Sequence, residues 1–219
     1  MLVKDLSLES LPQVKISDKV GDVLNLMYQY QTESLPVVED GKFAGIIKEE
    51  LLLNSDDNLE LSNLPLTMKE AFVNEHDHVL KAIMIATTSQ FSHVPVLNSD
   101  GNLVGELDEG TLLLAISSFM DLNEPGAIIV LETDAVQYSF SEISRLVEGN
   151  DAQITQLNSS ANKETGKMTV TIKVNRQEVS DLVATFQRHE YDVRYYFGEE
   201  QYTNELKNNY DNLIHYLNI

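Results

Sequence analysis

The sequence has no cysteine, no tryptophan and no long apolar run. The absence of cysteine excludes disulfides. The longest apolar runs, Ala127-Ile128-Ile129-Val130-Leu131 and residues 112–116, are far shorter than the roughly 20 residues of a membrane span. The N-terminus has no basic stretch followed by an apolar core, so no secretory signal is expected. We therefore predict a cytoplasmic protein that does not act in a membrane.

Positive charge is also scarce. The 219 residues carry a formal net charge of −20, which repels nucleic acid and anionic lipid surfaces, so neither is expected as a partner. The first arginine is Arg145. Because bidentate recognition of phosphate depends on arginine, a polyphosphate ligand finds little to bind in the first 120 residues. The lysines of that region are Lys4, Lys15, Lys19, Lys42, Lys48, Lys69 and Lys81.

One pattern occurs twice, about sixty residues apart. In the first copy Leu35-Pro36-Val37 leads through Asp40-Gly41 into residues 43–53, and in the second Val94-Pro95-Val96 leads through Asp100-Gly101 into residues 103–114. Asp-Gly supplies the positive φ angles of a tight hairpin, so each copy predicts a β-hairpin followed by a leucine-rich helix. Proline lacks an N–H group, so each proline is expected at the start of its strand.

An amphipathic helix is predicted before each hairpin. The first helix begins near residue 20 with Ser17 or Asp18 as its N-cap, and the second begins near Asp77. Residues 79–86 of the second helix are apolar almost all round, which predicts burial on two sides. We interpret the second side as an interface, either with the first repeat or with another subunit. A polar boundary between the repeats is expected in residues 54–63.

This doubled unit, over roughly residues 1–120, resembles the CBS domain, which occurs in pairs. The resemblance implies a first repeat at residues 1–60, a second at residues 61–122, and a ligand-binding cleft formed by both. It implies ten candidate ligand-binding residues: Leu35, Pro36, Val37, Lys48, Leu51, Val94, Pro95, Val96, Asp108 and Thr111.

Relatives that bind adenosine ligands use a Gly-Ile/Val-Ile/Val-Thr-x-x-Asp motif, in which the aspartate accepts from the ribose hydroxyls. Lys48 and Asp108 stand at the threonine positions of this chain, and Leu51 and Thr111 stand at the aspartate positions. The resemblance therefore implies that adenine nucleotides bind weakly or not at all. Glu106, Asp108 and Glu109 add repulsion for a triphosphate at the second site, so any remaining phosphate affinity is expected at the first, beside Lys48.

No catalytic or metal-binding motif is apparent. Glu75-His76-Asp77-His78 crowds two histidines with two acids, but it lies at a predicted helix start and lacks the i, i+4 spacing that places metal ligands on one side. The Gly-x-x-x-Gly spacings lack the Gly-Lys-Ser/Thr of a phosphate loop. We therefore expect no enzyme activity, no metal and no cofactor.

The pattern changes after Asn123-Glu124-Pro125-Gly126, a predicted linker. Residues 126–198 predict the order βαββαβ of a ferredoxin-like domain, with capping boxes at residues 139–142 and 175–178. This order resembles the ACT domain and, after a CBS pair, bacterial CBS-CBS-ACT proteins of the acetoin-utilisation accessory type. The resemblance implies amino-acid binding near Asp134, Ala135 and Val136, although this loop lacks the Pro-Gly of the family.

Residues 199–219 predict a C-terminal amphipathic helix that packs on its own domain or on a partner subunit. Its apolar stripe consists of Tyr202, Leu206, Tyr210, Leu213, Ile214 and Leu217.

The predicted fold class is therefore α/β (α+β), with a CBS pair followed by an ACT-like domain. The predicted function is that of a non-catalytic regulatory sensor, for which an adenine nucleotide or an amino acid is the candidate ligand. The alternative is a structural protein that mediates oligomerisation or docking to a protein partner and binds no ligand. In either case the apolar helix at residues 79–86 and the striped tail predict a homodimer.

Overall fold

The computed structural model describes residues 1–65, 70–90 and 92–198. It divides into two compact units, Met1–Phe119 and Met120–Ile219. The predicted C-terminal helix at residues 199–219 lies outside the described residues. No helix within the described ranges is both long enough and apolar enough to cross a membrane.

The first unit contains two copies of one arrangement. The first copy comprises β1 (Val14–Lys15), α1 (Val20–Tyr30), β2 (Ser34–Glu39), β3 (Lys42–Lys48) and α2 (Glu49–Leu53). The second comprises β4 (Val73–Asn74), α3 (Val79–Ser89), β5 (His93–Leu97), β6 (Leu103–Asp108) and α4 (Glu109–Phe119). Each copy forms a three-stranded sheet whose first two strands are parallel and whose last two are antiparallel.

The two predicted hairpins are present and turn differently. Asp40 and Gly41 have positive φ angles of 51° and 80°, as a two-residue turn between β2 and β3 requires. The second turn is longer, and the side chain of Asn98 accepts hydrogen bonds there from the amides of Asp100 and Asn102. Pro36 and Pro95 occupy the third positions of their strands, not the predicted first positions.

Each proline is tolerated at its position for the same reason. The parallel strand β1 pairs with β2 only from Val37 onward, and β4 pairs with β5 only from Val96 onward. Pro36 and Pro95 therefore precede the segments to which these neighbours bond.

The cores of the two repeats are completed by segments that precede the opposite repeat. Val3, near the N-terminus, packs in the core of the second repeat, and its amide donates to the carbonyl of Asp77. Leu61, between the repeats, packs in the core of the first, where its amide donates to the carbonyl of Asp18. Ile46 of β3 also packs in the second core. The repeats therefore share their interiors.

The predicted N-caps of α1 and α3 are wrong. Lys19 and His78 flank these helices instead. Asp18 accepts a hydrogen bond from the amide of Lys15, and Asp77 accepts one from the amide of Asn74. Each aspartate therefore closes the tight turn between a short strand and its helix, where an earlier amide competes for the carboxylate.

The second unit comprises β7 (Ala127–Asp134), α5 (Phe140–Glu148), β8 (Ile154–Ala161), β9 (Lys167–Val174), α6 (Ser180–Arg188) and β10 (Asp192–Phe197). Its sheet has the order β10-β7-β9-β8 and is antiparallel throughout. This arrangement, with the order βαββαβ along the chain, confirms the predicted fold class.

Side chains alternate between the two faces along each strand of this sheet, and those on one face form the core with the helices. Ile129 and Leu131 of β7 and Ile172 of β9 point to the same face as the buried side chains of α5 and α6, among them Phe186. Phe186 also meets the ring of Tyr191 edge to face, with the ring centroids 5.7 Å apart.

One of the two predicted capping boxes is only an N-cap and the other is wrong. Ser139 accepts a hydrogen bond from the amide of Glu142 at the start of α5, as predicted. Helix α6 begins after Val179 without a side-chain cap. The side chain of Asn175 accepts from the amide of Gln153 instead, so it ties two chain segments together and leaves the helix uncapped.

We expect Leu61→Ala to destabilise the protein by about 2–5 kcal/mol, because the fully buried side chain completes the first core from outside the repeat that it serves. The control is Leu53→Ala, since the Leu53 side chain is 66% exposed and its loss should cost less than about 0.5 kcal/mol. Urea denaturation measures both. Equal effects of the two substitutions would contradict the shared-core arrangement.

Candidate functional site

A cleft of about 840 Å³ lies between the two repeats of the first unit. Several of its residues occupy equivalent positions in the two copies. Gln31 follows α1 as Gln90 follows α3. Glu49 begins α2 as Glu109 begins α4. A ligand bound in this cleft would therefore touch both repeats at once. The remaining lining residues are Glu33, Ser34, Lys48, Glu50, Leu53, Asn54 and Ser92.

Among the described residues, Lys48 is the single cation that lines this cleft. It is the last residue of β3, and its Nζ donates to the carbonyl oxygen of Ser89 at the end of α3, with a distance of 3.3 Å. The bond links the two repeats. The end of a helix carries partial negative charge, which favours an ammonium group there. Lys48 is thus engaged by the protein itself.

Carboxylates outnumber this ammonium group. Glu33, Glu49, Glu50 and Glu109 all line the cleft. Their summed charge opposes a phosphate group, and Lys48 neutralises only part of it. The cleft suits a neutral polar or cationic ligand better than an anion.

The apolar candidates of the strands lie in the cores. The side chains of Leu35 and Val37 belong to the first core, and those of Val94 and Val96 belong to the second. Pro36 and Pro95 are buried beside them. Any contact that these residues make with a ligand would therefore use their backbone atoms.

Leu51 and Thr111, at the positions of the ribose aspartate, make contacts with other residues of the protein. Leu51 packs against the first core, and its carbonyl accepts from the hydroxyl of Ser55 at 2.9 Å. Thr111 donates from its amide to Asp108 Oδ1, and its hydroxyl lies 3.3 Å from Asp108 Oδ2. Asp108 therefore caps the start of α4. At the second motif these two residues thus form a helix cap.

Four titratable residues meet beside β6. Glu9 pairs with Glu106 through two reciprocal backbone hydrogen bonds of 2.8 and 2.9 Å. A Cβ atom on Gly105 would lie 2.7 Å from Leu8 Cβ, so this glycine lets the N-terminal segment approach the strand. His93 Nε2 lies 3.6 Å from Glu9 Oε2. We call Glu9, His93, Glu106 and Asp108 the acidic cluster.

Glu106 is the buried member of this cluster. Its neighbour Leu107 lies in the second core, so alternation along β6 places Glu106 and Asp108 together on the opposite face. Glu106 is only 2% exposed. Among the residues that the structure describes, its carboxyl group has no hydrogen-bond or ion-pair partner.

Burial, with a smaller contribution from the charge of Glu9, raises the pKa of Glu106 to about 7. The pKa of Asp108 is lowered, chiefly because the amide of Thr111 donates to its carboxylate. The two carboxyl groups of β6 therefore titrate differently. Asp108 is ionised near neutral pH, whereas Glu106 is about half protonated there.

The loop candidates of the second unit lie at the end of β7. Asp134 ends β7, and its carbonyl accepts from the amides of Gln137 and Tyr138. The amide of Ala135 donates to the carbonyl of Gly166, and Val136 is 99% exposed. A nearby cavity of about 280 Å³ is lined instead by Thr133, Gln137, Glu142, His189, Glu190 and Tyr191.

Within that cavity, the side chain of Tyr191 is held by a hydrogen bond. Its hydroxyl donates to Glu142 Oε2 at 3.1 Å. Burial, followed by this hydrogen bond, raises the pKa of Tyr191 to about 12, so its hydroxyl remains a donor at physiological pH.

The side chains of the histidine-rich stretch at residues 75–78 contact different partners. The side chain of Asp77 accepts from Lys81 Nζ at 2.6 Å, while that of His78 accepts from the amide of Leu80. His76 Nδ1 lies 3.7 Å from Glu75 Oε1. Within residues 1–65, 70–90 and 92–198, no group of three or more histidines and acids has the geometry of a metal site.

Sequence analysis missed most of the cleft and part of the acidic cluster. Glu33, Gln90 and Ser92 lie in segments that show no motif, and Glu9 lies in a segment whose position depends on the opposite repeat. A signal for Glu106 was available. It occupies the position that Ile46 fills in the first repeat, so a charge stands where the other copy has an apolar residue.

The sequence model of the CBS domain matches residues 3–56 and 63–118. An uncharacterized protein of Methanocaldococcus jannaschii is 32% identical over 93 residues, which are 42% of this chain and 35% of that protein. The chain therefore matches about a third of the length of this curated relative.

The chain is also similar to solved structures. A CBS domain pair/ACT domain protein from Thermotoga maritima is 28% identical, with a TM-score of 0.52 over 55% of this chain and 99% of the other. The CBS-pair protein CBSX2 from Arabidopsis thaliana is 23% identical, with a TM-score of 0.48 over 54% of this chain and 95% of the other.

We expect Glu106→Gln to make stability less dependent on pH. The pKa of Glu106 is raised from its ordinary value of 4.5 to about 7, so the proton stabilises the folded state fully below pH 4.5 and this stabilisation is lost as the pH rises through 7. Glutamine resembles the protonated carboxyl. The variant should match the wild type at pH 4.5 and be more stable at pH 8 by up to about 3 kcal/mol.

Urea denaturation between pH 4.5 and pH 8 measures this difference. Glu39→Gln, at an exposed position beside the first hairpin turn, is the control for loss of one negative charge. If the stability of Glu106→Gln and that of Glu39→Gln change in parallel with pH, Glu106 does not carry the proton.

Proposed function

Because the chain belongs to the CBS domain family, we propose that it is a non-catalytic regulatory protein whose repeats bind a small metabolite in the cleft between them. CBS pairs are typically regulatory ligand-binding modules. The observation that carries the proposal is the 840 Å³ cleft, whose polar lining comes from matched positions of both repeats. Such a ligand would bridge the repeats and so stabilise one arrangement of them.

The contact between Lys48 and Ser89 is the element on which a ligand would act. It already joins the repeats across the cleft. A ligand that replaces this bond with its own contacts would couple occupancy of the cleft to the packing of α3 on its repeat. The resulting change could then be sensed by a protein partner.

We assign the second unit as an ACT-like domain. Its βαββαβ order and antiparallel sheet support this assignment, as does the description of the Thermotoga maritima protein as a CBS domain pair/ACT domain protein. Amino-acid binding near Asp134, Ala135 and Val136 has less support, because the turn is closed by its own backbone and Val136 points into solvent. We therefore place the sensing site in the CBS pair.

Adenine nucleotides are not the favoured ligand. CBSX2, a similar protein, has also been crystallised in complex with AMP. In this chain Leu51 faces a core and Thr111 is bonded to Asp108, so neither offers the carboxylate that accepts from ribose hydroxyls. The unpaired hydroxyls would cost about 1–3 kcal/mol on burial, which is about 5- to 150-fold in affinity.

The alternative function, oligomerisation without a ligand, is favoured by one surface. A groove of about 460 Å³ on α3 and α4 is lined by Ile83, Ala86, Leu112, Leu113 and Ile116, with Thr87, Gln90 and Glu109 at its sides. Leu113 is 69% exposed, and Met84 and Leu114 are exposed nearby along the same helices. We propose that a second copy of the chain covers this groove, because a two-fold axis would bring the same largely apolar surface of each copy together.

A ligand screen tests the sensing function. We expect a neutral or cationic metabolite to raise the melting temperature of the protein, since a ligand at 100 times its dissociation constant adds roughly 2.7 kcal/mol of stability. AMP and ATP should give no shift at micromolar concentration. The shift should disappear in Glu50→Trp, which fills the cleft, and persist in the exposed control Glu39→Trp.

Rebuilt motifs provide the converse measurement. Asp108→Thr with Thr111→Asp, and separately Lys48→Thr with Leu51→Asp, should create AMP binding that calorimetry detects. Micromolar binding of AMP by the unmodified protein would contradict our interpretation of the motifs. A complete lack of shift with all nucleotides, amino acids and amines would leave the oligomerisation function.

We expect the protein to be a homodimer at micromolar concentration and Leu113→Glu to be a monomer. The substitution places a charge, facing its symmetry copy, in a surface that the dimer buries, where an unpaired charge is costly. Val136→Glu is the control, because Val136 is exposed in the second unit. Light scattering gives the masses. A monomeric wild type, or a dimeric Leu113→Glu, would contradict the proposed interface.

A further inference from the structure

Glu106 occupies a position at which an apolar residue would fit the fold better. Its counterpart in the first repeat is Ile46, which packs in a core. The residue that aligns with its neighbour Glu9 is Met68, also apolar. In the sequence, one copy therefore has apolar residues at both of the positions where the other copy has glutamates. A buried carboxyl without a partner costs free energy, so this pair of changes does not serve stability.

No lysine or arginine among the described residues is ion-paired with the acidic cluster. Glu9 Oε2 lies 3.6 Å from His93 Nε2, and Asp108 uses its oxygens to cap α4. The first unit has no arginine. Within the part of the chain that the structure describes, Glu106 is therefore a buried acceptor facing two further carboxyl groups, with no donor directed at it.

We propose that the acidic cluster of the second repeat binds the cationic head of a small organic ligand, an alkylammonium or guanidinium group. This inference rests on the proposed sensing function and names the chemical class of one of its ligands. A cation with N–H donors would supply the hydrogen bonds that Glu106 lacks and would offset the charges of Glu9 and Asp108. A metal ion fits less well, because the described carboxylates and histidines lack the geometry of a metal site.

The ligand would enter on the side of Glu9 and His93. The Glu9 side chain is 53% exposed, whereas Glu106 lies beneath it at 2%. Glu106 would then release its proton as the cation binds, and its carboxylate would neutralise the charge of the cation. The titratable groups that face the Glu106 carboxyl group are Glu9 on the N-terminal segment, His93 on β5 and Asp108 on β6.

Agmatine, which carries one ammonium and one guanidinium group, is a suitable probe. Calorimetric titration of the full chain should show saturable binding, and Glu106→Gln should weaken it by about 10- to 150-fold, the range for loss of a hydrogen bond to a charged group. Glu9→Gln, a half-exposed position that tolerates substitution, should weaken it in the same direction. Tetramethylammonium, which has charge but no N–H donor, should not bind.

Glu164→Gln is the matched control. It removes the same charge from an exposed turn of the second unit, so it reports non-specific attraction to an acidic protein. Equal weakening by Glu164→Gln and Glu106→Gln, unchanged binding in Glu106→Gln and Glu9→Gln, or equal binding of tetramethylammonium would each overturn the proposal. The heat measured at pH 6 in buffers of different ionisation enthalpy should also show release of a proton, which Glu106→Gln should abolish.

The two proposals can fail separately. If agmatine does not bind but another metabolite gives a thermal shift that Glu50→Trp removes, the cation site is wrong and the sensing function stands. If neither agmatine nor any metabolite binds, the sensing function itself is wrong.

Discussion

The arrangement of the first unit depends on the exchange of chain segments between its two repeats. A unit of about 60 residues buries only about 60% of the surface that its unfolded chain exposes, which leaves an isolated repeat marginal. Val3 enlarges the second core and Leu61 the first, and Ile46 reaches from β3 into the second core. Because each core is completed from outside its repeat, the cleft between the repeats is fixed by the same packing that stabilises them.

Local sequence patterns predicted the features that depend on neighbouring residues alone. The Asp40-Gly41 turn, the helix before each hairpin and the βαββαβ order all follow from turn chemistry and periodicity, and all are present. The exchange of segments could not be predicted, because Val3 and Leu61 carry no signal of which core they enter. Asp18 and Asp77 were assigned to helix caps for a similar reason, since the competing amides of Lys15 and Asn74 depend on the exact turn geometry. Glu106 is predictable only by comparing the repeats with each other.

The repeats have the same fold but different chemistry at equivalent positions. Lys48 of the first donates across the cleft to Ser89, whereas Asp108 of the second caps its own helix. Ile46 packs in a core, whereas Glu106 is buried without a partner among the described residues. Equivalent positions of a common backbone therefore carry different polar groups, and the two repeats do not present the same chemistry.

The burial of Glu106 is best understood as a cost of function. An apolar residue in place of Glu106 would fill the same space without desolvating a charge, as Ile46 does at the equivalent position of the first repeat. Rules of burial are broken most often where a protein acts, because the interactions that a ligand completes are incomplete without it. The backbone of Glu106 also pairs with that of Glu9 and so holds the N-terminal segment to β6, and that segment carries Val3 into the second core. A change in the charge of Glu106 would therefore be transmitted to the packing on which both repeats depend.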